Sequence, residues 1–359
     1  MNLSKLVTLL AALTLVCQVA LAGTSILIPW ATADGGYGSG AIYGLAIEGD
    51  NAYLLLSLNN KVQFVRIANL SGAQTYTQLM NHATWLAASG QNGCTPFQGF
   101  DLSGSDHVQF ADAGSDEIWR INKNTGLLIK YCDLNTITNT TGRSSRPNLG
   151  AVQCVNPANG EHVFYDSNSQ HLLTTAGSNV CTILIPYTAY TNALGTTANY
   201  NGGMNFDNSG NLYIGNSAAA PNGGLVKRDS GGNLSLLFDR DTLTNLSLVT
   251  TLNFGTMKMG PDGKFYFRTG SGTASSILCF DPANPAATLQ RFISSAELLS
   301  STAASANVNC IRYYGTYPSS SSGWAWHQFG QNPVYLTAIP EPALFGLLGL
   351  AALFMRRAF

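Results

Sequence analysis

The sequence predicts an all-β chain, a β-propeller of about six blades, on three observations. Short alternating or uniformly apolar stretches recur along it. Gly/Asn/Asp turns close them at regular intervals. The whole arrangement repeats roughly every 50 residues, with starts near residues 44, 99, 149, 203 and 256. Three or four short strands per repeat is the unit that a propeller stacks around an axis.

The first repeat opens with Gly44-Leu45-Ala46-Ile47, turns at Glu48-Gly49-Asp50-Asn51 and continues as strands over 52–57 and 62–67. The second begins at Gly99, turns at Gly104-Ser105-Asp106, and places strands over 107–111 and 117–121 before Asn124-Thr125-Gly126 turns the chain into 127–131. A weaker third copy runs from Leu149, with strands over 151–155, 162–166 and 171–175. The fourth, from Gly203, is the clearest: Met204-Asn205-Phe206, the turn Asp207-Asn208-Ser209-Gly210-Asn211, Leu212-Tyr213-Ile214, then 225–228 and 234–238. The fifth reads Met257-Lys258-Met259, Gly260-Pro261-Asp262-Gly263, then 264–268, 277–280 and 288–292. A degenerate sixth unit starts near Val308 and uses 309–314, 324–329 and 334–337. The strand over 24–30 is expected to pair into this last unit, because ring closure removes the exposed edges that an open array keeps.

Two of the hairpins, Asp207-Asn208-Ser209-Gly210-Asn211-Leu212-Tyr213-Ile214 and Pro261-Asp262-Gly263-Lys264-Phe265-Tyr266-Phe267, resemble those of NHL and SMP-30/gluconolactonase-like propellers. The resemblance implies a fold; a turn before an aromatic strand carries no activity of its own. It also implies a divalent metal held in the propeller mouth by Glu, Asn and Asp. Glu48, Asn148, Asn205 and Asn253 lie near the corresponding blade starts, where hydrogen bonding of the local turns is the competing role.

The two ends carry sorting information. Lys5, the apolar run 6–16 and Ala20-Leu21-Ala22 make residues 1–22 a secretory signal peptide, with Ala20 and Ala22 as the signal-peptidase site. Residues 23–338 form the propeller domain. In 339–359, Pro340-Glu341-Pro342 is followed by an apolar run from Ala343 to Met355 and by Arg356-Arg357. The prolines hold the triplet extended, and the arginines stop a short hydrophobic helix at the cytoplasmic face. This order resembles the PEP-CTERM sorting signal. The resemblance implies recognition of Pro340, Glu341 and Pro342 by an exosortase-type membrane protease, transient residence in the inner membrane, and a final place at the cell surface or in the extracellular matrix of a bacterium. The thirteen apolar residues rise roughly 20 Å as a helix, against a hydrocarbon core of about 30 Å, which suits a segment awaiting cleavage better than a permanent anchor.

Composition narrows the function. Only 10% of residues are Asp, Glu, Lys or Arg and the formal net charge is −1, so the chain lacks the basic footprint of a nucleic-acid binder. The histidines His82, His107, His162, His171 and His327 show no metal-ligand spacing. The stretch Asp112-Ala113-Gly114-Ser115-Asp116-Glu117 could hold calcium but lacks the ordered ligand series of a calcium loop and reads as a solvated turn, as does the loop with Arg143 and Arg146. Cys94, Cys132, Cys154, Cys181, Cys279 and Cys310 remain after export, and an oxidising compartment predicts at least two disulfides among them. No catalytic residue, metal site or cofactor is nominated. Aromatics at Trp85, Trp119, Tyr187, Tyr190, Tyr200, Trp324 and Trp326 fall partly in loops, and Trp324 with Trp326 forms the candidate stacking surface for a sugar. The function expected is binding of extracellular polysaccharide or a surface protein without catalysis. The alternative is an exported propeller enzyme acting on sugars, a metal-dependent lactonase, dehydrogenase or lyase.

Overall fold

A computed structural model describes residues 24–26, 41–58, 61–94, 100–103, 106–195, 203–218, 223–270, 275–294, 308–314, 323–328 and 334–338. They form six four-stranded antiparallel sheets. Five are blades of four consecutive strands. Blade one holds β2 (Ala41–Glu48), β3 (Asn51–Leu58), β4 (Lys61–Ala68) and β5 (Thr75–Met80); blade two holds β6 (Asp101–Ser103), β7 (His107–Asp112), β8 (Glu117–Asn122) and β9 (Leu128–Cys132). Blade three is β10 (Leu149–Val155), β11 (His162–Asp166), β12 (His171–Gly177) and β13 (Val180–Ile185). Blade four is β14 (Met204–Phe206), β15 (Leu212–Asn216), β16 (Gly224–Arg228) and β17 (Leu234–Asp239). Blade five is β18 (Phe254–Met259), β19 (Phe265–Thr269), β20 (Ser276–Phe280) and β21 (Gln290–Ile293).

The remaining sheet draws on both ends of the chain. It is ordered β1 (Thr24–Ile26), β24 (Val334–Ala338), β23 (Gly323–Gln328), β22 (Val308–Tyr314). Thr24 faces Leu336 and Ile26 faces Val334, so the N-terminal strand joins the last unit, as closure of an all-β ring requires. The first strands of the sheets touch in succession, β2 to β6, β10, β14, β18 and β22, and β22 returns to β2.

Apolar side chains on both faces of each blade explain the cohesion. In β3, Ala52, Leu54 and Leu56 pack into one cluster while Tyr53 and Leu55 point into another. The second cluster continues into blade two through Phe100, Phe110 and Trp119. Equivalent cores join blades two and three, three and four, and four and five. A strand whose successive residues alternate between two buried faces reads as nearly uniform apolar sequence, which is the pattern of residues 52–56.

The hairpin motif is explained by its carboxylate. Asp207 accepts from the N–H of Ser209 and Asn211, from the Asn211 amide at 2.7 Å and from the Tyr213 hydroxyl at 3.0 Å. Gly210 supplies the left-handed turn, with φ 79°. Asp262 repeats the device with the Tyr266 hydroxyl at 2.7 Å.

Four helices of eight residues were not expected from the strand pattern. They are α1 (His82–Ser89), α2 (Leu134–Thr141), α3 (Tyr187–Leu194) and α4 (Arg240–Ser247), each following the fourth strand of a blade. A short α5 (Pro285–Thr288) precedes β21. Asn81, Asp133 and Asp239 cap α1, α2 and α4 by accepting from Thr84, Thr136 and Thr242 N–H, and Gly90, Gly142 and Gly195 end α1, α2 and α3 in the left-handed conformation.

Candidate functional site

Among the described residues, polar side chains meet in the middle of the ring and in a cleft between blades two and three. In the middle, Lys258 on β18 reaches Asp101 on β6 with Nζ 2.7 Å from Oδ2. The two residues belong to blades three steps apart, so the pair crosses the space that the first strands surround. Asp101 also accepts from the N–H of Leu102. Beside them, burial pushes the Cys154 thiol well up, with the Asp101 carboxylate adding to the effect and Lys258 opposing it. Asn205 on β14 donates to the Met257 carbonyl at 2.8 Å and ties blade four to blade five.

The cleft has a volume of about 460 Å³ and is lined by Ser103, Asp106, His107, Arg120 and the turn Pro157-Ala158-Asn159-Gly160. It opens where the β6–β7 and β10–β11 turns of neighbouring blades lie side by side. Arg120, from β8, forms its back wall. The guanidinium donates through Nε to the Gln109 side chain and through Nη2 to the Gly160 carbonyl at 3.5 Å, and its Cζ lies 3.4 Å from the Tyr131 ring centroid. A guanidinium has five N–H donors in a rigid fork, more than these partners use. Burial lowers its pKa, countered by Tyr131, yet an arginine keeps its charge in proteins. His107 is held below the ordinary histidine value by burial and then by Arg120, against the opposing pull of Asp106, so the imidazole is neutral at neutral pH. Behind the wall, His162 is fully buried, its pKa lowered to about 3 chiefly by burial. Its Nε2 donates to the Gln153 side-chain oxygen at 2.8 Å, and Gln153 bonds both the N–H and the C=O of Ala111, stitching blade three onto β7.

The sequence-nominated residues fall elsewhere. Trp324 is in β23 but only 1% exposed. Its ring packs 4.5 Å from Tyr266 and 6.3 Å from Phe292, so burial in the seam with blade five corrects the stacking role given to it. Trp326 lies in the same strand, its backbone paired with Ile311 and Tyr335, and its side chain is outside the described residues. Trp85, Trp119 and Tyr190 are core residues as well. Ala20, Ala22, Pro340, Glu341, Pro342, Arg356 and Arg357, with both sorting segments, lie outside the described residues. No helix among the described residues is long and apolar enough to cross a membrane.

Glu48 pairs with Lys123, the Asn148 N–H is bound by Asp166 at 2.8 Å, and Asn253 directly precedes β18. Among the described residues no three His, Cys, Asp or Glu side chains converge as metal ligands would. The acidic stretch is no solvated turn: Asp112, Ser115, Asp116 and Glu117 are buried. Asp112 accepts from the Ser115 N–H and hydroxyl, and Asp116 holds Arg146 and the Leu149 N–H, with burial raising its pKa. Cys94, Cys132, Cys154, Cys181 and Cys279 are free thiols, and the Cys310 side chain lies outside the described residues. Cys94, Cys154 and Cys279 are each enclosed in a different part of the core, so apolar burial replaces the pairing expected of them. The cleft itself went unread because Arg120 and Gly160 are 40 residues apart and neither belongs to a motif.

No protein-family model matches the chain, and no curated relative matches it. Solved structures do. A structural genomics protein of unknown function from Bacteroides thetaiotaomicron superposes with a TM-score of 0.56 at 13% identity, covering 88% of this chain and 76% of the other. Virginiamycin B lyase from Staphylococcus aureus gives 0.50 at 13%, over 87% and 84%. Regucalcin, a calcium-binding protein from Agrobacterium tumefaciens, gives 0.49 at 11%, over 83% and 89%. At these identities the likeness is one of fold alone: the chain is an all-β propeller.

Proposed function

We propose that the protein is an exported, non-catalytic binding propeller whose ligand is an acidic extracellular polysaccharide held in the cleft between blades two and three. The observation that carries this reading is the fixed Arg120 guanidinium at the back of a polar cleft of about 460 Å³. Such a fork matches a carboxylate in two-pronged geometry, and the volume falls in the range of small-ligand sites. Asp106, Ser103, Asn159 and the main chain of the 157–160 turn are suited to sugar hydroxyls. The conspicuous carboxylates support a binding role: Asp112, Asp166, Asp207 and Asp262 each serve as acceptors for their own turns.

Export, cleavage of residues 1–22 by signal peptidase and removal of 339–359 by an exosortase-type protease complete the proposal, on the two terminal motifs. The sheet that joins β1 to β22–β24 is then the sixth blade of the mature ring. Affinity electrophoresis tests the binding. The protein should be retarded by polygalacturonate and not by neutral dextran. Arg120→Gln should weaken the retardation at least tenfold in apparent affinity with the circular dichroism spectrum unchanged. Equal retardation by dextran, or an unaffected Arg120→Gln variant, defeats the acidic-sugar assignment. Cleavage of the polysaccharide would turn the reading to the enzymatic alternative.

A further inference from the structure

Cys132 and Cys181 stand apart from the other thiols. Cys132 is the last residue of β9, the outer strand of blade two, and Cys181 is the second residue of β13, the outer strand of blade three. The surrounding backbone holds these two edges together. The Asn179 N–H donates to the Tyr131 carbonyl at 2.8 Å, the Asp133 N–H donates to the Asn179 side chain at 3.1 Å, and the Thr140 hydroxyl of α2 donates to the Cys181 carbonyl at 3.2 Å. Cys181 packs against the apolar cluster that contains Cys132. The two side chains are close enough that each perturbs the ionisation of the other.

We propose that Cys132 and Cys181 form a disulfide that staples the outer edge of blade two to that of blade three, made by exchange with a small-molecule disulfide such as oxidised glutathione. The two thiols have distinct parts in it. Cys181 is half-buried, whereas Cys132 is fully enclosed. The neighbouring Cys132 lowers the Cys181 pKa, aided by the Thr140 hydroxyl and the Thr182 N–H and opposed by burial, so Cys181, the more accessible of the two, is the thiol that ionises first and attacks. Its thiolate displaces one glutathione thiolate from the oxidant, leaving glutathione bonded to Cys181. Cys132, deprotonated in the same step by the released thiolate, attacks the Cys181 sulfur and expels the second glutathione. Two protein thiols are oxidised, one glutathione disulfide is reduced to two thiols, and the protein loses two hydrogens. The proposal is independent of what the cleft binds.

The full chain, incubated with oxidised glutathione and then alkylated under denaturing conditions, tests it. Peptide mass spectrometry should find Cys132 linked to Cys181, with Cys94, Cys154 and Cys279 still alkylated. The oxidised protein should melt about 5 °C above the reduced one, because the bond closes a loop of roughly 50 residues in the unfolded chain. Cys181→Ser should abolish both the linked peptide and the difference in melting. Cys132→Ser should stop the reaction with one glutathione on Cys181; if enclosure of Cys132 makes that variant fold poorly, Cys181→Ser decides alone. Recovery of Cys132 and Cys181 as alkylated thiols after oxidation overturns the proposal, as does a link joining other cysteines or a melting temperature that ignores the bond.

Discussion

The rim of the ring and its middle use one spacing for two purposes. At the rim, α1 to α4 begin every 52 or 53 residues, and each buries the residue at its fourth position: Trp85, Ile137, Tyr190 and Leu243. The side chains differ in volume and share a task, which is to wedge the link between one blade and the next. In the middle, Asp101, Cys154, Asn205 and Lys258 recur at 51 to 53 residues and share nothing chemically. One is an acid, one a thiol, one an amide and one an amine. Rim positions answer to their own repeat, so packing makes them alike in kind. Middle positions face a different blade, and what suits each depends on a residue far away in sequence: Lys258 and Asp101 are 157 residues apart. Repetition builds the ring, and departures from repetition fill it.

The rim should carry more stability than the middle. Trp85 is fully buried, lies 5.4 Å from Trp119 and donates through its indole to the Gly93 carbonyl at 3.1 Å. Trp85→Ala removes that packing and leaves a cavity between blades one and two, at a cost of about 4 kcal/mol. Urea unfolding should show a lower midpoint at an unchanged slope. A loss below about 1 kcal/mol would mean that the rim helices merely decorate the blades.

How much of this was legible follows the same division. The hairpins at Asp207 and Asp262 were readable because carboxylate, turn glycine and tyrosine lie within seven residues and act on one another. The N-terminal strand could be assigned to the last sheet because an open ring would leave edges exposed. The linker helices have plain punctuation, Asn81 or Asp133, a threonine three residues on, and a glycine after eight helical residues, but the apolar pattern does not reveal them. Eight residues are too few for an apolar stripe to repeat, so helix and loop look alike there. A tryptophan beside a serine-rich loop suggests exposure, whereas the burial of Trp324 is decided by Tyr266 and Phe292 of blade five. The cleft belongs to the illegible class: Arg120 gains its role from Tyr131 and Gly160 only once two blades are stacked.

The middle should tolerate rewriting that the rim does not. Lys258→Met strands the Asp101 carboxylate, whose side chain is 7% exposed, without its partner, whose own is 28% exposed. The cost should be about 2 kcal/mol, below the roughly 3–5 kcal/mol of a fully enclosed pair. Adding Asp101→Asn should return most of that loss, since an amide is cheaper than a carboxylate to leave beside a thioether and can still accept from the Leu102 N–H. Equilibrium unfolding of the two single variants and the double variant measures the coupling. If the double variant is as unstable as the sum of the singles, the two side chains are uncoupled, each position resists rewriting on its own, and the contrast with the rim collapses.

The smallest effect sharpens the comparison within the rim itself. Gly90, Gly142 and Gly195 end α1, α2 and α3 in the left-handed conformation, but α4 ends on Leu248 with φ 59° and ψ 40°. A side chain with a Cβ costs roughly 1–2 kcal/mol in that region, and Leu248 recovers little of it by packing, being 75% exposed. Its N–H already makes the capping bond to the Thr244 carbonyl, so no hydrogen bond depends on the side chain. Leu248→Gly should therefore relieve the strain while adding entropy to the unfolded chain, and the second effect offsets part of the first. A net gain of about 0.5–1 kcal/mol is expected, with a rise of roughly 1–2 °C in melting temperature for a chain of this size. Leu248→Ala supplies the control, because it removes the exposed side chain and keeps the Cβ. If alanine stabilises as much as glycine, the strain is not in the backbone, and the fourth helix end is then held by contacts that its three glycine-terminated counterparts lack.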